Sequence, residues 1–98
     1  MSTPNTSAFA FECLRYSDKP QSLSKALYGS PDGMAEKAFI SSEGEWRFRY
    51  DGEEPSSEEG HLLRDGCFII LLGELQISRF RALSLENDSK LSISYERK

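Results

Sequence analysis

The sequence predicts an α+β domain built mainly on an antiparallel sheet of about six strands, with one or two short helices. Three observations carry this reading. Apolar and polar residues alternate in several short runs, the period of a strand with one wet face. Gly, Pro, Asn and Asp punctuate those runs closely enough for turns rather than crossovers. No pattern of the dozen or so residues that a parallel crossover requires stands between the strands, which argues against a βαβ architecture. Sequential antiparallel strands then point to a single curved sheet crossed by a helix, or to a partly closed barrel. The 98 residues suffice for one hydrophobic core, and the 38% hydrophobic and 29% charged content suits a folded chain rather than a disordered one.

Residues 1–7 read as a loose polar tail ahead of a single domain over 8–98. Ala8 to Tyr16 reads as a strand, with Phe9, Phe11 and Cys13 on one face. Asp18-Lys19-Pro20-Gln21 has the capping residue, the proline and the spacing to open a helix, and Leu23, Ala26 and Leu27 supply its apolar stripe up to Gly29. Ser30-Pro31-Asp32-Gly33 makes a turn. Met34 to Ile40 carries helix formers first and strand formers last; Ser42-Glu43-Gly44 then reads as a hairpin loop.

Trp46-Arg47-Phe48-Arg49-Tyr50 alternates without a break, three aromatics against two arginines. Asp51 to Glu59 is an acidic loop, and His61 to Leu63 fits a short helical turn stopped by Gly66. Cys67 to Leu72 is apolar throughout, the signature of a central strand buried on both faces. Leu75 to Leu85 reads as a long strand bulged near Arg79-Phe80-Arg81, with a helix through Gly73 to Glu86 as the rival, because Leu72, Leu75 and Leu83 also fit helical spacing. After an Asn87-Asp88-Ser89 turn, Leu91, Ile93 and Tyr95 alternate with Ser92, Ser94 and Glu96 in a last strand. The expected core is Phe9, Phe11, Trp46, Phe48, Phe68, Ile70, Leu72, Ile77, Leu91 and Ile93.

Several function classes find little support. The longest apolar run, Phe68 to Leu72, is far short of the roughly 20 residues of a membrane-spanning helix. The polar start lacks the pattern of a signal peptide, so a cytoplasmic location is the expectation. Cys13 and Cys67 read as buried free thiols, and the sequons at Asn5 and Asn87 carry no weight without secretion. One histidine, His61, and two distant cysteines make no zinc set. Asp51-Gly52-Glu53-Glu54 lacks the ligand spacing of a calcium loop, and no glycine-rich phosphate loop occurs. No cofactor and no catalytic residue is expected.

The remaining signal is a surface one. Arg47-Phe48-Arg49 and Arg79-Phe80-Arg81 each set two guanidinium groups on one face of an extended chain. Were the two strands neighbours, the four arginines would form an anion-binding ribbon; the plainer reading pairs them with glutamates across strands. A net charge of −4 disfavours nucleic acid. Trp46, Arg47, Arg49, Tyr50, Arg79 and Arg81 are thus the candidate interaction surface, since Trp, Tyr and Arg dominate the centres of interfaces. The sequence reads as a small non-enzymatic module that binds another protein. Its alternatives are a binder of nucleic acid or a phosphate-bearing ligand, and then a small enzyme without a recognisable motif. A homodimer through a strand edge is a further expectation, with Lys90 to Glu96 or Glu45 to Tyr50 as the edge.

Overall fold

A computed structural model describes residues 7–29 and 33–97 of the chain. Residues 1–6 of the expected tail, with Asn5 among them, and the Ser30-Pro31-Asp32 part of the expected turn lie outside these residues, whereas Ser7, the last residue of that tail, opens the first strand. Within them, eight strands form two four-stranded antiparallel sheets. Sheet one holds, in spatial order, β1 (Ser7–Arg15), β8 (Lys90–Arg97), β3 (Lys37–Glu43) and β6 (Phe68–Leu72). Sheet two holds β2 (Gln21–Ser22), β7 (Arg81–Ser84), β4 (Trp46–Arg49) and β5 (His61–Leu63). Two short helices, α1 (Lys25–Tyr28) and α2 (Gly73–Arg79), complete the α+β fold.

The expected single sheet is two sheets, and the sheets do not close into a barrel. The reason lies in the turns. Ser42-Glu43-Gly44 does not close a hairpin; it carries the chain from β3 in sheet one to β4 in sheet two. Gly44 has φ +81°, and a Cβ there would meet the Ser89 Cβ at 2.8 Å, so the corner admits only glycine without a shift. The Asn87-Asp88-Ser89 turn likewise passes from β7 in sheet two to β8 in sheet one. Only β4 and β5 are neighbours both in the chain and in a sheet.

The inner faces of both sheets share one core. Ala38, Ile40, Leu91, Ile93 and Tyr95 from sheet one meet Trp46, Phe48, Ala82 and Leu63 from sheet two, with Ile77 of α2 and Phe80 filling one end. The alternation of β8 sets Leu91, Ile93 and Tyr95 inward and leaves Ser92 and Ser94 on the outer face. At one side of this core the Tyr95 hydroxyl donates to the Glu12 carboxylate, which also accepts the Ser24 N–H at 3.0 Å. Glu12 of β1 thereby ties the start of α1 to sheet one. A bulge between Ala8 and Ala10 interrupts the β1–β8 ladder, and the Arg97 guanidinium lies 4.1 Å from the Phe9 ring centre.

Other elements differ from expectation for identifiable reasons. The helix starts at Lys25 behind Ser24 rather than at Asp18, because Gln21 and Ser22 pair with β7 instead. His61 to Leu63 is a strand, drawn into the ladder of β4. Both readings of 73–86 are half realised: α2 occupies Gly73–Arg79, and β7 follows at Arg81–Ser84.

Candidate functional site: the open edge of β6

Cys67 to Leu72 is not a central strand. β6 lies at the end of sheet one and pairs with β3 alone. Its register sets Phe68, Ile70 and Leu72 opposite Ser41, Phe39 and Lys37, on the face turned away from the core. Phe68, Ile70 and Leu72 are 60%, 47% and 59% exposed, and Phe11, on the same face at the far edge, is 58% exposed. Four residues expected in the core thus lie on the outside. Cys67 is exposed as well, while Cys13 sits half-buried on the outer face with its Sγ 3.9 Å from Ser92 Oγ.

The direction of the β6 main chain follows from its flanking bonds. The Gly73 N–H donates to the Glu36 carbonyl at 2.8 Å, and the Cys67 carbonyl accepts from the Ser42 N–H at 3.0 Å. Both reach toward β3. Alternation along an antiparallel ladder then turns Ile69 and Leu71 to β3 as well, and Phe68, Ile70 and Leu72 to the open side. The Leu72 N–H confirms the parity, since it donates to Gln76 Oε1 at 2.7 Å rather than to β3. The edge therefore presents the N–H and C=O groups of Phe68 and Ile70, and it is closed at one end by a side chain of α2.

A groove of about 430 Å³ runs beneath this edge, lined by Ile69 to Leu72, Gln76 and a cluster of Phe48, Tyr50 and His61. The His61 ring lies 5.2 Å from Phe48 and 5.9 Å from Tyr50. On the outer face, Phe39 and Phe68 meet at 5.2 Å. Apolar surface thus lies on both sides of an unpaired ladder. No charged residue occurs from Gly66 to Gly73.

The arginine surface is arranged differently. β4 and β7 are neighbours, and Arg49 sits directly opposite Arg81, with Arg47 on the same face. Each of these three is engaged locally rather than by glutamates across strands. Arg49 forms a two-point pair with Asp51 at 2.5 and 3.1 Å, which raises the arginine pKa and lowers that of the carboxyl. Arg81 donates to the carbonyls of Ser78 and Phe80, and Arg47 to that of Gly60 at 3.0 Å. Arg79 ends α2, off the strand, and its carbonyl accepts the Gly52 N–H. Trp46 is wholly enclosed in the core and has no face to offer a partner. Tyr50 is exposed and belongs to the groove cluster.

Among the described residues no group of His, Cys, Asp and Glu could hold a metal ion, and no helix is long and apolar enough to cross a membrane. Comparison assigns the chain no family: no family model, curated protein or solved structure matches it.

Proposed function

We propose that this protein works as a non-enzymatic interaction module, binding protein by adding an extended segment to the open edge of β6. The observation that carries this reading is the edge itself. β6 combines free main-chain groups at Phe68 and Ile70, exposed apolar side chains and no charge. Natural sheet edges are ordinarily shielded by charge, proline or a covering element. An edge without charge or proline, beside an apolar groove, suits strand addition: the ladder supplies affinity and the groove reads alternate side chains.

The second reading, a phosphate-bearing ligand at the arginines, draws on Arg49 facing Arg81 across β4 and β7. It is the weaker one. A phosphate there has to displace Asp51 from Arg49 and two carbonyls from Arg81.

Photocrosslinking tests the proposal. A benzophenone side chain at position 70, with position 86 as the control, is irradiated in cells that naturally make the protein. Position 70 is expected to yield discrete protein adducts, the protein itself included, and position 86 none. The absence of any protein adduct at position 70 rejects the reading.

A further inference from the structure

We infer that the segment added to β6 is β6 of a second copy of this chain, related by a two-fold axis at Ile69. The inference rests on the reading of this edge as a protein-docking surface and names its occupant. The two sheets of type one then run on as a single sheet through a closed, isologous dimer.

The register follows from which main-chain groups are open. Phe68 and Ile70 turn both their N–H and C=O groups outward, whereas the outward N–H of Leu72 is held by Gln76. An axis at Ile69 sets Phe68 opposite Ile70 of the second copy, and Ile70 opposite its Phe68. Both pairs are of the kind that exchanges two hydrogen bonds. An axis at Ile70 instead opposes Phe68 to Leu72 and requires the Gln76 bond to break. Gln76 therefore disfavours the axis at Ile70, and the Gly66 N–H, held by the Ser42 carbonyl at 3.0 Å, disfavours an axis at Phe68.

Charge agrees with the same axis. Nothing from Gly66 to Gly73 repels a second copy. Beyond the strand, the axis brings Arg64 of each copy to the end where Glu74 of the other lies. Both side chains are exposed, and the ion pairs among the described residues involve neither. On the outer face, Phe68 and Ile70 alternate across the seam, backed by Phe39. Aromatic residues beside β-branched ones are favourable cross-strand partners. The sequence of the edge is thus complementary to itself in one register.

Sedimentation velocity on the full chain across the micromolar range tests this, together with two variants. The wild type is expected to sediment as a dimer, and Ile70→Lys, which sets an ammonium against Phe68 of the other copy, as a monomer with an unchanged circular dichroism spectrum. In a background without Cys13 and Cys67, Ile69→Cys is expected to form a disulfide-linked dimer on mild oxidation. The two Cα atoms at such an axis stand about 4.5 Å apart, within disulfide reach. Phe11→Cys, at the opposite edge, is expected to stay unlinked. If Ile70→Lys does not fold, the crosslink decides. A monomeric wild type overturns the inference, as does a dimer that survives Ile70→Lys or links through position 11 and not position 69. A monomeric wild type whose position 70 still crosslinks to a different protein sinks the dimer and leaves the docking surface standing; no adduct of any kind sinks both.

Discussion

Tyr95 is fully enclosed, yet its hydroxyl has one strong acceptor, the Glu12 carboxylate, which also holds the Ser24 N–H. The pair fastens β8, β1 and the start of α1 at one point. Tyr95→Phe keeps the ring and its 6.0 Å contact with Tyr28 but leaves Glu12 one donor short. A hydrogen bond to a charged group contributes about 1.5–3 kcal/mol, and a loss of that size is expected in urea denaturation. The pH profile separates this from a packing effect. Burial, and then the Glu12 bond, hold the Tyr95 pKa above its ordinary value of 10.0. The unfolded chain therefore releases this proton first as pH rises. The stability that Tyr95 contributes is complete below that value and declines above it, and Tyr95→Phe should flatten the decline.

At the scale of elements, β6 and β8 are the instructive contrast. Ile93 of β8 is completely buried between the sheets, and Ile70 of β6 is half in water. Ile93→Ala should lower stability by about 2–5 kcal/mol, as for a packed core position. Ile70→Ala, measured in dilute protein, should cost about 1 kcal/mol, because only part of its surface leaves water on folding. Equal shifts in the denaturation midpoint would contradict the placement of β6 at an edge. The sequence distinguishes these strands poorly. Alternation located β4 and β8 and their inward residues correctly, since one wet face leaves a period of two. The continuous run of β6 reads as burial on both faces, yet one of its faces is bare. What separates the two cases is place in the sheet: β8 lies between β1 and β3, β6 has β3 on one side alone, and all these neighbours are distant in the chain. The same holds for the edges. Lys90 to Glu96 and Glu45 to Tyr50, expected as free edges, belong to β8 and β4, and both are flanked on two sides. Turn chemistry at Gly44 and at Asn87 to Ser89 is legible, but not whether a turn folds a strand back beside its predecessor or carries it to the opposite sheet.

At the scale of the molecule, the two candidate surfaces lie on different sheets and differ in kind. The arginines of sheet two are occupied by carbonyls and by Asp51, within a chain of net charge −4. A dye-labelled single-stranded oligonucleotide is therefore expected not to bind, even at low salt, by fluorescence anisotropy. Salt-sensitive binding abolished by Ser at Arg47, Arg49, Arg79 and Arg81 would restore the phosphate reading. The Tyr50 and His61 rings connect the two surfaces, since they line both the groove under β6 and the smaller hollow beside Arg49 and Asp51.

The bulge between Ala8 and Ala10 bears on what happens at high concentration. Sheet one has two ends, β6 and β1, and molecules stacked β6 onto β1 repeat without limit, the route to a fibre. β1 is a poor receiver for such growth. Its extra residue breaks the even spacing that an incoming strand needs, and the guanidinium of Arg97 caps Phe9 at the place of the break. With β6 as the proposed docking edge and β1 irregular, the pairing proposed above closes at two copies instead of growing.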